Sequence, residues 1–291
     1  MTRAKYSFPP GSTVLVTGAN SFLGSHVINI LLELGYRVRG TVRSPRPWLN
    51  EYFSARYGSN SFETAIVADF QLPHAFDEAI SGVSGVVHMA QAMPWDPSNS
   101  DPVGYTVAGT LHLLEAAAKE QSVKRVVLAS SIVAAGYPQG DQPFRLVGYL
   151  NPGNCDIHIH RLQDRGRATG VEMGRGAQAF IRTQHDSALD ESWYIDVEDS
   201  ARLHVIALLS TEVQSERLFG AAAPFVWSDI IPILKKAQPA NESIPGPPQS
   251  EKASLGEVVP ARRAEQLIRT FFGRPGWTTL EESIKGTVKT A

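Results

Sequence analysis

The sequence predicts an α/β protein with a doubly wound parallel sheet and a small carboxyl-terminal lobe. Short β-branched runs alternate with stretches of helical periodicity over the first 137 residues. The first of these runs, at 13–17, stops at Gly18 and is followed at once by a helical pattern. Strands that alternate with helices at this spacing are typical of parallel, doubly wound sheets.

Each predicted element follows from hydrophobic periodicity. Apolar residues recur at helical spacing between Ser21 and Leu34, and we expect Gly35 to end that helix. Runs that are apolar on both faces suit buried parallel strands. The predicted strands are 13–17, 36–42, 62–68, 84–89 and 124–130, and the helices predicted between them are 21–34, 73–80 and 102–120.

Residues 140–190 break this order. They show neither helical nor strand periodicity, and they contain many arginines and glycines but no lysine. Amphipathic patterns return beyond Trp193, and they predict helices at 195–209, 260–272 and 278–290. The chain is therefore expected to divide into a regular half at 1–137, an atypical segment at 138–192 and a carboxyl-terminal part at 193–291.

The composition excludes several classes of partner. The 291 residues carry a net charge of −2, and Cys155 is the single cysteine. This balance provides no basic surface for nucleic acid or for an anionic membrane, and one cysteine excludes an internal disulfide. No run reaches the roughly 18 apolar residues that a membrane span needs. We expect a cytoplasmic monomer or homodimer that binds small molecules and no nucleic acid or membrane.

A phosphate-binding turn is predicted between the first strand and the first helix. Gly18 permits a tight turn, Gly24 permits close packing of helix on strand, and Ser21 takes the place of the usual middle glycine. Backbone N–H groups and the helix dipole hold a pyrophosphate in such a turn. The prediction is a Rossmann dinucleotide site, and a tight turn without ligand is the alternative. The predicted ligands are Gly18, Ser21, Phe22, Leu23 and Gly24.

The end of the second strand favours NADP(H) over NAD(H). An NAD site places a carboxylate there for the ribose hydroxyls, whereas residues 36–46 contain four arginines and no acid. Arg43 offers a fork of donors for a 2′-phosphate, and a solvated surface charge is the alternative. Asp69 and the adjacent Phe70 follow the third strand, where Asp69 either meets the adenine edge or caps a helix.

These motifs resemble the extended short-chain dehydrogenases/reductases, in particular the dihydroflavonol-reductase and aldehyde/ketone-reductase branch. The resemblance implies that NADPH reduces a ketone or aldehyde, with a role in secondary metabolism. It also implies that Ser131, or less favourably Ser130, holds the carbonyl oxygen, that the nicotinamide lies past Ala90, and that residues around Trp227 contact the substrate. It rests on residues 16–26, 39–43, 76–80, 86–90, 109–115, 123–131, 194–204 and 276–283.

The resemblance also implies a tyrosine that donates a proton and a lysine four residues later, and this pair is missing. None of the eight tyrosines has a lysine four residues on, and no lysine lies between Lys124 and Lys235. Read one base later, codons permitted by residues 159–179 encode Tyr-Ile-Ala-Ser-Lys. We therefore hypothesise that residues 140–190 are translated out of frame, through a wrong intron boundary, a splice variant or a genuine lesion. A further piece is then missing before Trp193.

Three functions stay open on the sequence. The first is a carbonyl reductase, with little activity expected from this chain because its proton donor is absent. The second is a non-catalytic protein that binds NADP. The third is a related epimerase or hydroxysteroid dehydrogenase, against which Arg43 argues because these enzymes are expected to retain NAD.

Overall fold

The fold is described from a computed structural model. It describes residues 5–91, 101–131, 145–146, 156–159, 192–248, 251 and 254–289. The chain divides into two compact units. The amino-terminal unit comprises residues 1–129 and 204–215, and the carboxyl-terminal unit comprises residues 130–203 and 216–291.

The amino-terminal unit contains five parallel strands in the order β3-β2-β1-β4-β5. The chain passes from β1 to β2 and β3 on one side and returns to β4 and β5 on the other, so the order reverses between β1 and β4. Ligands bind at this switch point in doubly wound sheets. The elements are β1 (Thr13–Val16), α1 (Phe22–Glu33), β2 (Arg37–Val42), α2 (Pro47–Tyr57), β3 (Phe62–Ile66), α3 (Asp77–Ile80), β4 (Gly85–His88), α4 (Pro102–Lys119) and β5 (Arg125–Ser130).

The structure confirms the predicted α/β fold. Each of the five strands ends within two residues of its predicted bounds. Two helices of this unit differ from the prediction: α3 is shorter, and α2 was not predicted at all. Only Leu49 and Phe53 are buried on α2, so its sequence carries little apolar periodicity.

A buried cluster joins the sheet to α4. Leu15 of β1 and Val86 of β4 are fully buried in it, together with Leu113 of α4. Phe70 and Phe76, from the segment between β3 and α3, complete the same cluster. This cluster therefore packs β1, β4 and α4 together with the segment that follows β3.

The carboxyl-terminal unit is built from short elements. Strand β7 runs parallel to β9, β8 runs antiparallel to β10, and β6 runs parallel to β11. Helix α5 begins in this unit, and its residues from His204 onward belong to the amino-terminal unit. The elements are β6 (Arg145–Leu146), β7 (Asp156–Ile159), β8 (Ser192–Tyr194), α5 (Val197–Leu209), β9 (Leu218–Gly220), β10 (Ala223–Phe225), α6 (Trp227–Ala237), β11 (Glu257–Val258), α7 (Ala261–Phe272) and α8 (Leu280–Lys289).

Strands β6 and β7 correct the prediction of an irregular segment at 140–190. Polar and apolar residues alternate over 156–159, but four residues are too few for the pattern to stand out in an arginine-rich segment. The remainder of that segment, including the positions assigned to the altered frame, lies outside the described residues. None of the helices in the described ranges combines the length and apolarity that a membrane span requires.

Candidate functional site

The predicted phosphate turn joins β1 to α1 and depends on both of its glycines. Gly18 has a φ of +70°, a region that L side chains rarely adopt. Its carbonyl accepts a hydrogen bond from the N–H of Ser21 at 3.0 Å. A Cβ atom on Gly24 would collide with the same carbonyl oxygen. The close approach of helix to turn therefore requires glycine at position 24.

Ser21 is the N-cap of α1, and a contact of this residue with a phosphate stays a prediction. Its Oγ accepts a hydrogen bond from the N–H of Gly24 at 3.0 Å. This bond satisfies one of the donors that a helix leaves without an intrahelical acceptor at its start. Leu23 lies in the same first turn, where N–H groups and the positive end of the helix dipole favour an anion. Phe22 packs its ring edge-on to His26 at 5.1 Å between centroids.

Neighbouring strands support the turn from behind. Thr41 of β2 accepts a hydrogen bond from the N–H of Gly18 on its Oγ1 at 3.3 Å, and from the N–H of Ala19 on its carbonyl at 3.1 Å. A Cβ atom on Gly18 would lie 3.6 Å from the backbone N of Ala90. The segment after β4 therefore passes directly beside the turn. The predicted residues Gly18, Gly24 and Ala90 converge at the switch point between β1 and β4.

The four arginines of 36–46 have different surroundings. Arg39 donates to Glu63 at 2.6 Å and to the carbonyl of Ala79 at 3.0 Å. Arg37 and Arg46 donate to backbone carbonyls, those of Gly11 and Pro45 respectively. Arg43 is exposed and makes no hydrogen bond or ion pair with the residues that the structure describes. Among these arginines, Arg43 is the unpaired guanidinium at the end of β2.

The carboxylate of Asp69 accepts hydrogen bonds from two other residues of the protein. Its Oδ1 accepts hydrogen bonds from the N–H of Gln71 at 3.1 Å and from the hydroxyl of Tyr105 at 2.9 Å. It does not cap α3, whose N-cap is Phe76. Burial raises the pKa of Asp69, but the hydrogen bonds from Tyr105 and Gln71 outweigh it and lower that pKa overall. The carboxylate is therefore kept ionised at the end of the sheet where an adenine would lie.

Tyr105 was not singled out in the sequence, although it lies one helical turn before Gly109 in α4. Burial raises the pKa of Tyr105 to about 12, the charge of Asp69 acts in the same direction, and the charge of Arg43 opposes both. Its ring contacts Phe70 edge-on at 4.6 Å between centroids. Phe70 is 7% exposed and belongs to the core, so only its backbone is available to a coenzyme. Tyr105 thus binds Asp69 directly and interacts with Arg43 through its charge.

Ser131, the serine expected to hold the carbonyl oxygen, directly follows β5 and is half-buried, and Ser130 is the last residue of that strand.

Three buried or half-buried tyrosines use their hydroxyls within the protein. The hydroxyls of Tyr36, Tyr105 and Tyr194 donate to Phe8, Asp69 and Thr278 respectively. None of these tyrosines is followed four residues later by a lysine.

Two of the eight tyrosines, Tyr137 and Tyr149, lie outside the described residues. The residues around Trp227, which are expected to contact the substrate, lie in the carboxyl-terminal unit. Phe225 is 3% exposed and belongs to a core cluster, against which Trp227 packs half-buried. This favours a structural role for Phe225, and a substrate contact of Trp227 stays a prediction.

Comparison with known proteins supports the same family. The model of the NAD dependent epimerase/dehydratase family matches residues 14–153. The chain is 43% identical to the ketoreductase adrE of Penicillium rubens, with 99% of each chain covered, and 30% identical to aldehyde reductase 2 of Sporidiobolus salmonicolor, with 96% of each covered. Yeast methylglyoxal/isovaleraldehyde reductase Gre2, solved with NADPH, has a TM-score of 0.71 over 96% of this chain and 97% of its own. At 23% identity that likeness shows the fold alone.

The alignments also reveal an internal gap. The alignment with the Penicillium rubens ketoreductase runs over 334 positions, whereas this chain has 291 residues, a difference of 43. Because 99% of both chains is covered, these extra positions lie inside the alignment and not at its ends. The relative therefore contains at least 43 internal residues that this chain lacks.

Proposed function

This chain belongs to the NAD dependent epimerase/dehydratase family, and from that premise we propose that it derives from an NADPH-dependent reductase of a ketone or aldehyde. The observation that carries the proposal is the unpaired guanidinium of Arg43 at the end of β2, beside a glycine turn at the switch point. The names of the relatives, ketoreductase and aldehyde reductase, support the reaction class. A place in secondary metabolism is part of the proposal.

The described residues fit a phosphorylated dinucleotide. The first turn of α1 faces the pyrophosphate, Arg43 binds the 2′-phosphate as a fork of donors, and the Asp69–Tyr105 pair lies at the adenine end. NADPH, when bound, supplies the hydride that reduces the carbonyl carbon. Ser131 holds the carbonyl oxygen by a hydrogen bond. The chain as written offers no tyrosine–lysine pair to protonate that oxygen.

We infer that this exact polypeptide binds the coenzyme but turns over little substrate. Loss of a general acid costs on the order of 10²–10⁴ in rate. The internal gap of at least 43 residues supports the hypothesis that a piece of the chain is missing, and we propose that this piece lies before Trp193. A non-catalytic NADP-binding protein is therefore the second candidate, and the coding sequence across codons 135–195 separates the two. A shifted frame without Tyr-x-x-x-Lys at this place would remove the frame hypothesis.

Coenzyme titration tests the binding proposal directly. The wild-type protein is expected to bind NADPH at least tenfold more tightly than NADH by calorimetry. Arg43→Ala should remove most of that preference, since a charge-assisted hydrogen bond contributes about 1.5–3 kcal/mol. Arg37→Ala is the matched control. Arg37 lies at the start of the same strand, where it donates a hydrogen bond to the carbonyl of Gly11. Equal affinity for both coenzymes in the wild type would refute the assignment.

Turnover is tested separately. The purified chain is assayed with NADPH against a panel of aliphatic and aromatic ketones and aldehydes, with coenzyme oxidation followed by absorbance. We expect rates at least a hundredfold below those of the Penicillium rubens ketoreductase on any shared substrate. Robust turnover by the purified chain would show that another group donates the proton.

A further inference from the structure

We propose that Thr17, His88 and Thr110 form a hydrogen-bonded relay that positions the Met89–Ala90 backbone as one wall of the coenzyme site. The proposal rests on the proposed coenzyme binding and assigns a positioning role to His88 and to the two threonines that contact it. Thr17 directly follows β1, His88 ends β4, and Thr110 lies on α4. We call these three residues the threonine–histidine relay.

The hydroxyl of Thr17 is the centre of the relay. Its Oγ1 accepts hydrogen bonds from the N–H groups of Met89 at 2.9 Å and of Ala90 at 3.0 Å. The same oxygen lies 2.9 Å from Nδ1 of His88. Two accepted bonds use both lone pairs of a hydroxyl oxygen, so its single proton is left for the third partner. Thr17 therefore donates to His88.

This assignment determines the state of the imidazole. An Nδ1 that accepts a proton donor carries no proton itself, so the ring is neutral and holds its proton on Nε2. His88 is 4% exposed, and burial lowers the pKa of His88 to about 4, which agrees with a neutral ring. The flanking rings of Phe70 and Phe76 approach it edge-on at 6.4 and 6.1 Å between centroids. They provide an apolar surrounding without a competing charge.

The hydroxyl of Thr110 contacts the second nitrogen of the His88 ring. Its Oγ1 lies 3.4 Å from Nε2 of His88, a longer contact than the one to Thr17. The Thr110 hydroxyl donates to the carbonyl of Thr106 at 2.8 Å, so its oxygen is oriented to accept. All donors and acceptors in the relay therefore run in one direction, from the N–H groups of Met89 and Ala90 to a carbonyl of α4.

The relay acts on the site through the backbone that it holds. Ala90 lies beside Gly18, at 3.6 Å from the position of a Cβ on that glycine. With the N–H groups of Met89 and Ala90 turned inward to Thr17, this segment leaves the sheet in one orientation. Loss of the Thr17 hydroxyl leaves two N–H groups without their acceptor, and the segment can then shift toward the turn. Coenzyme affinity should fall as a result.

The test compares two substitutions at Thr17 with a control. Thr17→Val keeps the shape of the side chain but removes the hydroxyl, and it should weaken NADPH binding about tenfold, the equivalent of one hydrogen bond. Thr17→Ser keeps the hydroxyl and should restore affinity to within about twofold of wild type. Val127→Ala, in the fully buried centre of β5, serves as a variant of comparable stability loss with unchanged affinity. Thr17→Val that binds like wild type, or Thr17→Ser that fails like Thr17→Val, would overturn the relay.

Nuclear magnetic resonance of the unliganded protein provides a readout that does not depend on the coenzyme. Side-chain ¹⁵N shifts should show His88 neutral, with its proton on Nε2, at pH 7. A proton on Nδ1 would overturn the relay even if all variants bind less well. If the wild type shows the expected tautomer but binds no NADPH, the proposed function and the positioning role fail, while the hydrogen-bond arrangement stands.

Discussion

The two units of this protein place their key contacts at different sequence separations. The coenzyme turn and its flanking elements occupy residues 13–33, and the Ser21–Gly24 bond spans three residues. In the carboxyl-terminal unit, Asp199 binds the N–H of Thr278, and β6 pairs with β11 more than a hundred residues away. A change within 140–190 therefore removes the expected catalytic pair and leaves every residue of the coenzyme turn in place. We therefore expect binding and catalysis to be separable, because they depend on different stretches of the chain.

The largest expected effect is on the stability of the carboxyl-terminal unit. Asp199 is fully buried, contacts Arg202 at 2.7 Å and accepts the N–H of Thr278 at 2.6 Å. Asp199→Ala should lower the free energy of unfolding by about 3–5 kcal/mol, since the N–H of Thr278 and one N–H of Arg202 both lose their buried acceptor. Glu198→Ala removes a half-exposed carboxylate from the same arginine and should cost about 1 kcal/mol or less. Denaturant unfolding measures both.

The same variant also tests whether coenzyme binding in the amino-terminal unit depends on the stability of the carboxyl-terminal unit. The folded fraction of Asp199→Ala should bind NADPH with wild-type affinity, because all proposed coenzyme contacts lie in the amino-terminal unit. A parallel loss of affinity and stability in this variant would show that the units do not function separately.

Acid should destabilise the amino-terminal unit through His88. Burial lowers the pKa of His88 from 6.5 to about 4, so the unfolded chain takes up the proton first as the pH falls. Stability is therefore full above pH 6.5, declines by about 1.4 kcal/mol per pH unit, and loses about 3 kcal/mol in total by pH 4. Denaturant unfolding between pH 4 and 8 checks this slope.

A matched pair of histidines isolates that contribution from the carboxylates that titrate in the same range. His88→Gln should remove this part of the acid slope. His74→Gln, at an exposed histidine that contacts Asp77, should leave the slope in place. Identical acid slopes for the wild type and His88→Gln would contradict the prediction.

Gly24→Ala tests whether NADPH binding requires the close packing of α1 on the turn at Gly18–Gly24. The added Cβ would meet the carbonyl oxygen of Gly18 and the Oγ of Ser21, and overpacking of this kind costs about 1–3 kcal/mol. We expect NADPH affinity to fall roughly tenfold to a hundredfold. Gly246→Ala, where no atom lies within 4 Å of the new Cβ, is the control for a glycine substitution as such. Calorimetric titration measures the NADPH affinity of both variants, and equal affinities would contradict the prediction.

The smallest expected effect concerns the adenine end. Tyr105→Phe removes the hydrogen bond to Asp69 and should cost about 1 kcal/mol in NADPH binding, or roughly fivefold in affinity. Because the bond also helps to lower the pKa of Asp69, that pKa should rise in the variant. Tyr52→Phe, at a tyrosine that is 52% exposed on α2, is the control. An unchanged affinity would limit Tyr105 to a structural role.

Local patterns were sufficient for much of the site. Gly18, Gly24 and Arg43 could be singled out because a glycine turn after a strand and the absence of an acid at the end of β2 are visible in adjacent residues. The family membership followed from the same motifs. Thr17, His88 and Tyr105 could not be singled out, because each acquires its role from partners between 22 and 73 residues away.

By itself, the sequence determined the five parallel strands, the phosphate turn and the missing tyrosine–lysine pair, because these depend on periodicity and on the order of neighbouring residues. Only the tertiary structure showed which groups the neighbouring arginines contact, since the hydrogen bonds of Arg37, Arg39 and Arg46 do not follow from their local sequence. It likewise decided that Phe70 belongs to the core and that Ser21 caps a helix. Such choices depend on which polar groups find partners once distant segments pack together, and hydrogen bonds of this kind have no signature in a linear pattern.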